Sequence, residues 1–251
     1  MSERWSVEEL ELLSRYFTAN TTLNSLFQRV LKLNRNRSFE SMTRKLRYMR
    51  EKGGYITSKE EAESKLRVGY LDIESTGLEG DWDMMLCWFI KVSGKNEYRS
   101  GVVRPEEMHK YELRDKRIVK ELLAALDEFD VLYVHYGIDR RFDIPFIRTR
   151  ALGHGLYKEL RSLKETKFMR DTWLISRNKL RMSSNRLERL QDFLGVKNRK
   201  TRLKPHVWVR ARMGYKDDIA YVADHCKADV VVLEEVHKRL EPVERKTYTG
   251  I

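Results

Sequence analysis

The sequence predicts an α/β protein in which a mixed five-stranded sheet flanked by helices follows a small three-helix domain. Three observations carry this: capped amphipathic stretches at the N-terminus, three apolar runs in close succession from Val68 to Val103, and a later alternation of helical and strand patterns. Residues 1–52 are assigned to the helical module, 53–65 to a linker and 66–251 to the sheet domain.

The first helix is announced by Ser6 with Glu9 three residues on, a capping box, followed by Leu10, Leu13, Tyr16 and Phe17 at helical spacing after Trp5. Thr22 caps a second helix with Leu23, Leu26, Phe27, Val30 and Leu31 on its apolar side. Ser38 caps a third, in which Phe39, Met42, Leu46 and Met49 form the buried stripe. Arg37, Arg44, Lys45, Arg47 and Tyr48 fall mostly outside that stripe, so the third helix is predicted to be basic on its outer face. This layout is that of a helix-turn-helix, and these five residues are its candidate nucleic-acid contacts. The opening Trp5-Ser6-Val7-Glu8-Glu9 resembles the start of Myb/SANT-type modules. Gly53-Gly54 and the charged stretch after it mark the linker.

Val68 to Ile73 has the β-branched and apolar content of a strand, Met84 to Val92 is a second, and Ser93-Gly94-Lys95-Asn96 turns into a third near Tyr98 to Val103. Ile118, Leu122, Leu123, Ala125 and Leu126 then mark an amphipathic helix, followed by a strand at Val131 to His135 and another at Lys167 to Arg170. Ser183 or Ser184 is the predicted cap of a helix that Gly195 closes. A dense basic loop, Lys197 to Lys204 and including Lys200, suits phosphate contacts, and a last helix runs from about Asp217 to Leu240.

A formal net charge of +12 and a sequence pI near 9.6 point to a polyanionic partner, nucleic acid first. The two cysteines, Cys87 and Cys226, lie in apolar and helical contexts, as packed thiols of a reducing compartment do. No apolar run approaches a membrane span and the N-terminus has no signal-peptide pattern, so a cytoplasmic protein without a membrane partner is expected.

Chemistry concentrates first in Tyr70-Leu71-Asp72-Ile73-Glu74-Ser75-Thr76-Gly77-Leu78. Residues i and i+2 of a strand share a face, so Asp72 and Glu74 do. Two carboxylates so close repel unless a cation sits between them, which makes the pair a candidate site for a hard divalent metal. A second acidic position, Asp143, follows Phe142 and precedes Pro145 at the start of a helix. On the last helix Tyr221, His225 and Asp229 recur every four residues and therefore line one face. Asp171, near a strand end, is assigned either as the cap before Thr172 or as a support for the other carboxylates.

Taken together, Asp72-x-Glu74-x-Thr76-Gly77-Leu78, Phe142-Asp143-x-Pro145-Phe146 and His225-x-x-x-Asp229 resemble, over Val68 to Leu240, the three motifs of the DEDD 3′-5′ exonucleases. They are most similar to the proofreading domains of family-B DNA polymerases and related stand-alone exonucleases. The resemblance implies a ribonuclease H-like fold, two Mg²⁺ or Mn²⁺ ions held by Asp72, Glu74, Asp143 and Asp229, and His225 orienting or deprotonating the attacking water. It also implies that Thr76, Leu78 and Phe142 lie by the terminal nucleotide of DNA. Two metals about 4 Å apart would activate water and stabilise the leaving oxyanion. The chain departs from the family pattern twice: His225 stands at the spacing of the family's Tyr-x-x-x-Asp, which leaves the water between His225 and Tyr221, and His135-Tyr136-Gly137 stands where an Asn is usual. Two other functions use the same residues, a ribonuclease H-like endonuclease on RNA, hybrids or junctions, and a non-catalytic subunit that recruits a polymerase or replication factor.

Overall fold

The computed structural model describes residues 5–16, 22–51, 67–110, 114–165, 168–198 and 204–244. The predicted linker, 53–65, lies outside them, as do Phe17 and Lys200. The chain divides into two compact units. One comprises the N-terminal region to Arg67 with Glu128–Asp130, and the other Val68–Asp127 with Val131–Lys246.

In the first unit, α1 (Val7–Tyr16), α2 (Leu23–Leu33) and α3 (Phe39–Glu51) each begin at the expected cap. Ser6 and Glu9 form the reciprocal box, with the Ser6 amide donating to Glu9 at 2.8 Å and the Glu9 amide to Ser6 Oγ at 3.2 Å. Thr22 Oγ1 accepts from the Ser25 amide, and Ser38 Oγ from that of Ser41. These bonds satisfy amides that no helical carbonyl reaches, and that is why the ends fall there. Leu13, Leu26, Phe27, Val30, Met42, Leu46 and Met49 make the core.

The second unit is built on a five-stranded sheet of order β3-β2-β1-β4-β5, formed by β1 (Val68–Ser75), β2 (Met85–Val92), β3 (Tyr98–Val102), β4 (Val131–Val134) and β5 (Phe168–Asp171). The meander β1-β2-β3 is antiparallel, whereas β4 and β5 join it parallel to β1. The helices are α4 (Pro105–Met108), α5 (Lys116–Leu126), α6 (Asp143–Gly153), α7 (Tyr157–Glu165), α8 (Thr172–Lys179), α9 (Leu187–Phe193), α10 (Pro205–Arg212) and α11 (Lys216–Leu240). Every residue of β2 is buried, which requires cover on both faces of the sheet. Neighbouring β2 side chains show how it is covered: Trp88 Nε1 donates to the Ile118 carbonyl of α5, while Cys87 lies against Cys226 of α11. Both cysteines are free and buried, and desolvation pushes both thiols up, so they pack as protonated groups.

One local expectation changes. α9 starts at Leu187 with Arg186 at its N-cap, and Ser184 reaches only the Arg186 amide, at 3.3 Å, because the chain is still extended there. Asp143, expected at the start of a helix, is the first residue of α6, next to Phe142 at the N-cap.

Candidate active site

The site is built where β1, β4 and β5 end. Glu74 pairs with Cys87 and Asp72 with Phe89 across the antiparallel ladder, so both carboxylates emerge on the face covered by α11. The register shifts between Glu74 and Ser75, a local irregularity of the kind that re-aims side chains beside functional sites. The Cys226 thiol donates to the Asp72 carbonyl at 3.4 Å, seating α11 on that strand. From α11 come His225 and Asp229, 4% and 1% exposed. His225 Nε2 stands 3.7 Å from Glu74 Oε1 and 3.7 Å from Asp229 Oδ2. Glu74, His225 and Asp229 each offer a donor atom within 4.8 Å of the others. An oxygen-rich set with one imidazole fits a hard divalent cation, whose charge would offset the converging carboxylates. Asp72 shares the face of Glu74 but, with Asp143, falls outside that three-residue group. Tyr221, one turn before His225, is 41% exposed.

Asp143 is held by the loop after β4. Asp171 accepts hydrogen bonds from the amides of Tyr136 at 2.9 Å, Gly137 at 3.0 Å and Ile138 at 3.4 Å, and from Trp173 at 2.9 Å. It is therefore both the cap of α8 and the post around which the loop folds. The loop then returns its own carbonyls: the Tyr136 carbonyl accepts from Phe142 and the Gly137 carbonyl from Ile144. A Cβ on Gly137 would come within 2.2 Å of Asp143 Oδ2, so the missing side chain makes room for the carboxylate. Phe142, half-buried, lies 5.3 Å from the Phe146 ring.

The loop after β1 is fixed by Asp83. Its carboxylate accepts from Thr76 Oγ1 at 3.0 Å and from the Glu79 amide at 3.1 Å, while Thr76 Oγ1 accepts from the Met84 amide. The Thr76 hydroxyl is thus engaged within the loop, and Thr76 is buried, whereas Leu78 is 77% exposed at the tip. Arg150 of α6 ties this loop to the helix that carries Asp143: Nη1 donates to the Gly80 carbonyl at 3.0 Å while the rest of the guanidinium binds Asp115 in bidentate fashion at 2.7 and 2.9 Å. Burial pushes the Asp115 carboxyl up, but hydrogen bonds with His154 and Arg150 outweigh it and the net shift is downward.

In the N-terminal unit the five candidate contacts divide. Arg37, read from the sequence as outward-facing, is buried. Its Nε and Nη2 bind Glu9 at 2.7 and 2.9 Å, and its guanidinium sits 4.1 Å from the centre of the Trp5 ring. Helical spacing did not reveal this because Arg37 precedes α3 and its partners are on and before α1. Arg44 is exposed and paired with Glu40, Arg47 is exposed, and Lys45 lies 5.1 Å from the ring of Tyr48, itself 53% exposed. Lys200 falls outside the described residues, and of its basic loop only Lys197, Asn198 and Lys204 are described. Sequence reading passed over Asp83, Asp115 and Arg150. Asp83, seven residues after Thr76, had a detectable local signal, whereas Asp115 and Arg150 meet only through tertiary folding.

A mixed sheet of this order, with helices on both faces and a metal-capable acidic group at its strand ends, defines an RNase H-like nuclease fold. A family model of the RNase_H superfamily matches residues 69–241, and the chain belongs to that superfamily. This makes it a nuclease-type phosphodiester hydrolase with nucleic acid as its substrate, in a superfamily that usually works with divalent metals. Comparison with curated proteins finds no match. Among the described residues no helix is long and apolar enough to cross a membrane.

Proposed function

We propose that the protein is a metal-dependent 3′-5′ exonuclease that hydrolyses DNA phosphodiester bonds. The observation that carries this reading is the convergence of Glu74, His225 and Asp229 within 4.8 Å, joined by Asp72 on the same strand face. In this reading Asp72, Glu74, Asp143 and Asp229 hold two Mg²⁺ or Mn²⁺ ions. When bound, such ions polarise the phosphoryl oxygen, generate hydroxide from water and stabilise the leaving oxygen. His225 Nε2 faces Glu74 and Asp229, each 3.7 Å away, and serves as the group that orients water and takes its proton. Water attacks the terminal phosphorus, the 3′ oxygen of the shortened strand departs, and a nucleoside monophosphate is released. Leu78 and Phe142 contact the terminal nucleotide, and Thr76 keeps their neighbouring loop in shape through Asp83. Tyr221 stands at the open end of the same helix face. The three-helix unit acts as a helix-turn-helix-like contact for nucleic acid, through Arg44, Lys45, Arg47 and Tyr48.

The test is digestion of 5′-end-labelled linear DNA and closed-circular single-stranded DNA, each with Mg²⁺ or Mn²⁺. Stepwise shortening from the 3′ end with the circle left intact is expected. Cleavage of the circle would replace the exonuclease with an endonuclease.

A further inference from the structure

The ends of β4 and β5 carry a second surface that the carboxylates do not use. Tyr136 has φ +60° and Asp139 φ +58°, left-handed conformations disfavoured for residues with a Cβ. Asp171 holds the first of these in place by accepting from the Tyr136 and Gly137 amides, and the same carboxylate accepts from the Trp173 amide. One acidic side chain therefore positions two aromatic residues. Their rings meet edge to face with centroids 5.1 Å apart. The Arg141 guanidinium lies 4.6 Å from the Trp173 ring centre and 5.8 Å from that of Tyr136, and Arg177 lies 5.2 Å from Trp173. Arg141 also donates to Asp139 at 3.3 Å and to the Ile138 carbonyl at 3.2 Å, which fixes its direction. Tyr136 nevertheless keeps 48% of its surface exposed, and Arg177 is exposed. The patch adjoins the candidate site, since Gly137, next to Tyr136, is the residue packed against Asp143.

We propose that Tyr136, Arg141, Trp173 and Arg177 form a binding surface for a single strand of nucleic acid, feeding the site at Asp143. This rests on the nuclease reading above. The exposed Tyr136 ring offers a stacking face to an unpaired base, with Trp173 and Arg141 holding it from behind, and the exposed Arg177 guanidinium offers charge to a neighbouring phosphate. A duplex keeps its bases stacked on one another, so the patch selects unpaired strands. The strained backbone at Tyr136 has a use in this account, because it turns the ring outward beside the carboxylate.

The test measures anisotropy of a labelled single-stranded oligonucleotide, DNA and RNA in parallel, with the full chain in EDTA so that no hydrolysis intervenes. Tyr136→Ala and Arg177→Ala should each weaken binding by about tenfold, and Tyr136→Phe should retain it, as stacking requires. Arg177→Ala should also lower the slope of log affinity against log salt by about 0.7, the loss of one phosphate contact. Arg177 lies outside the strained loop, so its result does not depend on that loop's folding. Single-strand affinity unchanged in both Tyr136→Ala and Arg177→Ala, or no single-strand binding by the wild type, overturns the proposal. Loss of binding in the variants from a wild type that hydrolyses nothing with metal would uphold the patch and reject the nuclease reading.

Discussion

Gly137 leaves the space that Asp143 fills, because a Cβ there would lie 2.2 Å from the carboxylate and 2.8 Å from Val134. Gly137→Ala should therefore cost about 1–3 kcal/mol of stability through overpacking. It should also reduce metal-dependent hydrolysis about a hundredfold, the scale of effect expected when a reacting group moves by about 1 Å. Denaturant melts and turnover measured on the same preparation check both. Arg37 supplies a second contrast. It is buried with Glu9, and its guanidinium, hydrogen-bonded to that carboxyl, holds Glu9 below the usual carboxylate range. Arg37→Ala leaves a buried carboxylate alone and should destabilise the N-terminal unit by about 3–5 kcal/mol. Arg44→Ala removes only an exposed i,i+4 pair with Glu40 and should change stability by less than about 0.5 kcal/mol. Chemical denaturation of the full chain separates the two.

At the scale of elements, Asp115 at the N-terminus of α5 binds Arg150 of α6, His154 just beyond that helix, and the amide of Met85 at the start of β2. Its carboxyl has a folded pKa below the ordinary value. Its contribution is therefore complete above the unfolded pKa of about 4 and is lost as pH falls through the folded value. Asp115→Asn should lower stability at neutral pH and flatten the acid limb of the stability curve, followed by melts from neutral to acid pH. An acid limb as steep as that of the wild type would show that other carboxylates govern it. The elements themselves were largely legible in the sequence. The caps at Ser6, Thr22 and Ser38, the five strands and the long last helix depend on spacing and on neighbours within a turn, which a single sequence displays. The faces of Asp72, Glu74, His225 and Asp229 were legible for the same reason: strand period and helix period each put a pair on one face, and the fold then brings Glu74, His225 and Asp229 together, with Asp72 on the same strand face. Arg37, Asp115 and the loop-holding reach of Asp171 were not, because their partners lie far away along the chain, where periodicity says nothing.

For the whole molecule, a net charge of +12 is more than a fold needs and suits a polyanionic substrate, in keeping with membership of the RNase_H superfamily. Binding to nucleic acid should weaken steeply as salt rises, whatever the sequence of the strand, since phosphate contacts release counterions. The decisive measurement for the metal-dependent nuclease site is hydrolysis of labelled single-stranded DNA by the full chain, titrated with Mg²⁺ and Mn²⁺ beside Asp72→Ala and Asp229→Ala. Metal-dependent shortening is expected in the wild type and its loss in both variants, with their folds retained by circular dichroism. Hydrolysis that survives in either variant, or a wild type that cleaves neither DNA nor RNA with any divalent metal, would contradict it.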